Sequence, residues 1–167
     1  NCELDYYDEA KGEVVTVVAE PGTQMFVDMW RPFLIDFKGH LAERGWLSIT
    51  NIAMDERAPE AMDAAVSLLA ECAPEMGFAI ADMHHSYRRY LNMRDVCVAQ
   101  EQPADSTDIH VRREQGYTTT FYICCNPQFP NTFSYSHPYE AELLGWYGLA
   151  CDYDGMLRWA YNSWPAE

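Results

Sequence analysis

The residues best placed to do chemistry are two adjacent acids, Asp55 and Glu56, at the end of the stretch WLSITNIAMDER, residues 46–57. An acid pair lets one carboxyl give up a proton while the other stabilises charge. Strand ends elsewhere in the chain offer Asp82 with His84, then Tyr122 to Asn126, then Arg158 to Trp164. Aromatic faces with a few polar groups suit a sugar, whose C–H faces stack on rings and whose hydroxyls take directed hydrogen bonds. Acids in that company point to glycoside hydrolysis. Neighbours in sequence cannot flank a glycosidic bond from opposite sides as nucleophile and acid. Substrate assistance removes the difficulty: the substrate's own 2-acetamido oxygen attacks, one acid orients the acetamido N–H, and the other serves as general acid and then base. His84, at a strand end, is a candidate for a sugar-hydroxyl contact. Asp82 and His84 share a strand face, but no third ligand is evident and this mechanism needs no metal, so neither metal nor cofactor is expected. His85, His110 and His137 read as surface or loop residues. Cys124 and Cys125 should alternate across a strand and pack.

These groups need strands and helices to position them. Residues 46–54 read as a buried strand running out into the acids. Before it, residues 1–22 read as an irregular lead-in with a short strand over EVVTVVAE, residues 13–20. Thr23 is a plausible N-cap for a helix over about 24–44 that Gly45 ends, with Pro32 expected to kink it or mark its start. Phe26, Trp30, Phe33, Phe37 and Leu41 recur at helical spacing and define its expected buried face. A helix over about 59–73, a strand over 78–83 and a strand over 95–99 follow, with 86–93 ambiguous. A polar helix over about 107–115 ends at Gly116. TTTFYICC, residues 118–125, is the strongest strand by propensity. A turn-rich loop leads to a helix opened by Pro138, and a final strand covers 156–162. Strands alternating with helices predict a mainly parallel sheet with right-handed crossovers. About five strands fit, whereas a closed barrel takes about 250 residues. The fold is therefore α/β: an open sheet, or the later half of a barrel whose first strands are absent. No glycine-rich phosphate loop opens a helix.

The chain has 167 residues, 49% hydrophobic and 14% aromatic, enough for one domain with a real core. A formal net charge of −15 argues against nucleic acid or an anionic membrane surface as partner and is compatible with a neutral sugar. No apolar run reaches the length of a membrane span, so no transmembrane segment is expected. The chain starts at Asn1 without an initiating Met, as a piece of a longer protein would. The six cysteines show no paired ligand spacing and do not fix the compartment.

Three stretches, IAMDER at 52–57, YICCNPQFPNTF at 122–133 and DGMLRWAYNSW at 154–164, resemble the catalytic domain of glycoside hydrolase family 123 and the large group related to it. The likeness runs from about residue 20 to the end. It implies a (β/α)₈ TIM-type barrel, here the C-terminal part and incomplete, forming one partial catalytic domain over 1–167. It also implies retaining β-N-acetylgalactosaminidase activity through an oxazoline, on a glycan or glycolipid. Carried onto matching positions, Asp55 orients the acetamido group and Glu56 is the general acid/base. Tyr122 donates its hydroxyl to the acetamido oxygen, or is simply a core residue of its strand. Trp159 and Trp164 form a stacking floor, or are core. Asn162 and Asn126 are substrate-binding candidates, and Arg158 is an alternative structural ion-pair partner. The family's usual substrates imply a secreted, periplasmic or cell-surface setting. The competing reading is a carbohydrate-binding or structural domain without turnover. An unrelated hydrolase is disfavoured by the lack of a GxSxG elbow.

Overall fold

The computed structural model describes residues 2–55 and 57–158. They divide into two compact units: one holds the residues up to Thr50 together with Arg57–Met76, and the other holds Asn51–Asp55 and the chain from Gly77 onward.

The first unit opens with a hairpin of β1 (Cys2–Asp8) and β2 (Glu13–Ala19), paired antiparallel. The lead-in read as irregular is thus regular from its first described residue. The Asp8 carboxylate accepts from the N–H groups of Ala10 and Lys11, and Gly12 takes the left-handed conformation that closes the turn. Helix α1 (Gln24–Arg44) is capped as its sequence predicts. Thr23 Oγ1 accepts from Phe26 N at 3.3 Å, and Gly45 is left-handed at φ 71°. The helix runs unbroken through Pro32. Phe26, Trp30, Phe33 and Phe37 form a ladder of successive ring contacts 5.3–6.2 Å apart. Phe26, Leu34 and Leu41 are its buried positions, whereas Phe33 is exposed, so the expected aromatic face is only partly the buried one. Residues 47–49, expected as strand, form a single 3-10 turn, with Thr50 Oγ1 donating back to the Trp46 carbonyl. Helix α2 (Pro59–Cys72) completes the unit, and Arg31 of α1 pairs through Nη1 and Nη2 with the two carboxylate oxygens of Glu71 of α2.

The second unit is a five-stranded, wholly parallel sheet of β3 (Asn51–Met54), β4 (Gly77–Asp82), β5 (Met93–Ala99), β6 (Thr118–Ile123) and β7 (Gly155–Arg158). Its order in space is its order in sequence, β3-β4-β5-β6-β7. Among the described residues the winding never reverses and no switch point of the doubly wound kind occurs; an arc of an α/β barrel has this order. A 3-10 turn at Ser86–Arg88 lies between β4 and β5, α3 (Ser106–Glu114) joins β5 to β6, and α4 (Pro138–Ala150) joins β6 to β7. Gly77 lets two side chains come close: a Cβ there would lie 2.5 Å from Arg94 Cδ and 2.6 Å from Asn51 Oδ1, so both would have to shift.

One sheet face carries Ile80, Val96, Val98, Phe121 and Ile123, all buried. Tyr147 of α4 meets the Phe121 ring edge-on at 4.9 Å, and Arg112 of α3 donates to Thr119 Oγ1 on the same face. Each fully buried large apolar side chain contributes about 1.5–3 kcal/mol. The other face carries smaller and more polar groups: Ala79, Ala81, Asp95, Cys97, Thr118, Thr120 and Tyr122.

Candidate functional site

In a parallel sheet all strands end at one rim, and the chemistry-bearing residues follow those ends. Asp55 follows the last residue of β3 directly and is exposed. Glu56, Trp159, Asn162 and Trp164 lie outside the described residues. Tyr122 is half-buried near the end of β6, on the face shared with Thr118 and Thr120. Asn126 is exposed three residues beyond that strand. His84 is exposed two residues beyond β4. Five of the sequence-derived positions, Asp55, His84, Tyr122, Asn126 and Arg158, thus belong to the C-terminal ends of four strands of one sheet.

Asp82, grouped with His84 in the sequence, is occupied differently. It is buried, and its two carboxylate oxygens accept from the backbone N–H of His84 (2.8 Å) and of Ser86. It therefore shapes the turn that presents His84. His85 takes a left-handed conformation, with its Nε2 3.0 Å from the Gln102 carbonyl.

The loop after β6 is built around two buried polar side chains, Asn131 and Glu140, of which the sequence suggests only Glu140, as an acid in the first turn of the helix that Pro138 opens. Asn131 Nδ2 donates to the carbonyls of Cys124 (3.2 Å) and Pro127 (2.6 Å), while Asn131 Oδ1 accepts from Thr132 N. Glu140 accepts from Asn131 N (3.0 Å) and from His137 N (2.9 Å), closing the first turn of α4 as a capping box. The Asn131 N–H, then that of His137, holds the Glu140 carboxyl below the usual carboxylate range. The three-residue spacing from His137 to Glu140 was the available signal. Histidine is not a usual N-cap, and Asn131 is nonlocal, so neither pattern stood out.

Arg158, at the end of β7, donates from Nη1 to the carbonyls of Ile123 (3.2 Å) and Cys124 (3.3 Å), and its guanidinium sits 6.0 Å from the Phe133 ring. It clamps the end of β6 through backbone carbonyls, where an ion pair was the structural alternative. The two cysteines do not alternate across a strand as expected. β6 ends at Ile123, Cys124 N bonds the Asn126 carbonyl, and the two Sγ atoms are 3.7 Å apart. Burial raises the Cys124 thiol pKa.

The family model of the glycoside hydrolase 123 catalytic domain matches residues 1–167. A solved family 123 glycoside hydrolase from Clostridium perfringens, described in work on glycolipid glycan hydrolysis, is similar to this chain at 27% identity and a TM-score of 0.82. The match covers 97% of this chain and 30% of that one, so the chain spans about a third or less of its solved relative. No curated protein sequence matches. A parallel sheet wound in one direction, an acid at the end of its first strand, and a match along the whole sequence agree: this chain belongs to the glycoside hydrolase 123 family, within its catalytic domain.

Proposed function

We propose that the protein is a retaining glycoside hydrolase acting on terminal β-linked N-acetylgalactosamine by substrate-assisted catalysis. Residues 1–167 would then form one partial catalytic domain whose sheet is the C-terminal arc of a (β/α)₈ barrel. The observation that carries the reading is Asp55, exposed at the C-terminal end of β3 in a sheet that winds in one direction, within a family of glycoside hydrolase catalytic domains. Both sheet edges, β3 and β7, have no further strand among the described residues, which leaves room for an arc to continue.

In this mechanism Glu56 protonates the glycosidic oxygen as the bond to the anomeric carbon breaks. The acetamido oxygen attacks the same carbon from the opposite face, and Asp55 takes the acetamido N–H as positive charge develops there. Glu56, now a carboxylate, removes a proton from the water that opens the oxazoline, and two inversions give net retention. His84, Tyr122, Asn126, Trp159, Asn162 and Trp164 would contact the sugar, with Tyr122 directed at the acetamido oxygen. No metal or cofactor enters any step.

The test is hydrolysis of aryl β-GalNAc by the full-length natural protein, with aryl β-GlcNAc and aryl β-galactoside alongside. Cleavage confined to the acetamido sugars, reduced by about 10²–10⁴-fold in Glu56→Gln, is the expected result. Asp55→Asn should slow attack by the acetamido group. Equal cleavage of the galactoside, or full activity in both variants, would exclude the mechanism.

A further inference from the structure

In a continued strand, the adjacent side chains of Cys124 and Cys125 would point to opposite faces. β6 ends one residue earlier, at Ile123, and the chain turns there, with Cys124 N donating to the Asn126 carbonyl at 3.2 Å. The two Sγ atoms come within 3.7 Å of each other. The backbone that carries them is held. The Cys124 carbonyl accepts from Asn131 Nδ2 (3.2 Å) and from Arg158 Nη1 (3.3 Å), and the Cys125 carbonyl accepts from Gln128 Nε2 (2.9 Å). With both carbonyls fixed, side-chain rotation is what joins or separates the sulfurs. Cys125 is exposed and Cys124 half-buried, whereas Cys72 and Cys97 are buried. A buried thiol is shielded from oxidants, and an exposed one is not.

The surroundings favour a bridge over a metal ion. Two thiolates are too few for a closed metal site, and among the described residues no group of three or more His, Cys, Asp and Glu could hold an ion. A bridge needs only an oxidant, and a small-molecule disulfide such as oxidised glutathione serves. The exposed Cys125 thiolate attacks one sulfur of that disulfide, forms a mixed disulfide and expels one glutathione thiolate. The Cys124 thiol gives its proton to water, its sulfur attacks Cys125 Sγ, and the second glutathione leaves as thiolate. The two cysteines lose two electrons and two protons, and the small disulfide is reduced to two thiols. Burial raises the Cys124 thiol pKa and slows the second step, but its target lies 3.7 Å away and closure is unimolecular. The Cα atoms of trans-linked neighbours are about 3.8 Å apart, below the usual disulfide range of about 4.4–6.8 Å. A bridge that is both short-spanned and exposed is readily reduced again.

We propose that Cys124 and Cys125 form a reversible vicinal disulfide, a thiol-redox modification site at the start of the loop between β6 and α4. The test equilibrates the full-length natural protein with mixtures of reduced and oxidised glutathione, quenches in acid, alkylates free thiols with N-ethylmaleimide and cleaves after glutamate. The resulting peptide, residues 115–140, contains no other cysteine. As oxidised glutathione increases, this peptide should pass from doubly alkylated to unalkylated and two hydrogens lighter, and dithiothreitol should restore both thiols in the folded protein. In Cys124→Ser, Cys125 should stop at the mixed disulfide, with the glutathione adduct about 10-fold or more above that of the wild type. Three wild-type outcomes would each overturn the proposal: a doubly alkylated peptide in every mixture, a glutathione adduct that persists without closure, or a cross-link to a different cysteine. A bridge that dithiothreitol cannot open in the folded protein would overturn its reversibility.

Discussion

At the scale of single residues, Arg112 shows how much of this sheet depends on one buried cation. Its guanidinium donates to the Met93 carbonyl (2.8 Å), the Thr118 carbonyl (2.9 Å) and Thr119 Oγ1 (2.8 Å), joining α3 to the starts of β5 and β6. The rings of Tyr87 and Tyr117 lie 5.1 and 5.6 Å from its charge centre. Burial, then the neighbouring Asp108 carboxylate, pushes the Tyr87 hydroxyl up to about 12, and that hydroxyl donates to Asp108 at 3.1 Å. Removing the guanidinium leaves three acceptors without their donor. Arg112→Ala should therefore destabilise the protein by about 2–4 kcal/mol in urea unfolding. Arg112→Lys should recover little of this, since one ammonium cannot match a planar fork aimed at three acceptors. A loss under 1 kcal/mol in the alanine variant would show that the site relaxes around the gap.

At the scale of elements, the loop between β6 and α4 behaves as a unit held by Glu140. Its folded-state pKa lies below that of an unfolded carboxyl, about 4.3, so it contributes stability above that value and loses it as pH falls through the lower, folded value. Glu140→Gln should therefore lower stability at neutral pH and flatten the acid limb of the pH–stability curve, measured as urea midpoints from pH 7 to pH 3. An acid limb identical to that of the wild type would remove Glu140 from this role. The same elements show what sequence can reveal. The ends of α1 were legible because a Thr N-cap and a Gly C-cap act within a few residues of themselves. The strand expected over 46–54 is longer than the observed β3 because Leu47 and Ile49 have strand propensity, while the Thr50 hydroxyl and the Trp46 carbonyl close a turn there instead. β1 is not evident in the sequence because acids interrupt its alternation and its partner is what makes it a strand. In the candidate site, the position of Asp55 just after a strand is legible from the apolar run before it, whereas the Asn131–Glu140 pin joins residues whose nearness only the fold creates.

At the scale of the whole molecule, the sheet has two open edges among the described residues, and exposed apolar side chains include Tyr7, Val14 and Phe33 of the first unit. Open strand edges and exposed apolar surface drive association. Residues 1–167 expressed alone should accordingly self-associate with rising concentration in sedimentation velocity, more so when salt screens the net charge of −15. A single monomeric species up to high concentration would count against the barrel-arc reading. The strand order has a further consequence. Each strand from β4 to β7 pairs with the one made just before it, so none of these four must wait for a partner synthesised much later. Loop closure between successive strands is short-range and inexpensive, and chains emerge from the ribosome N-terminus first. The sheet can therefore accrete during translation, each new strand docking on an edge already in place.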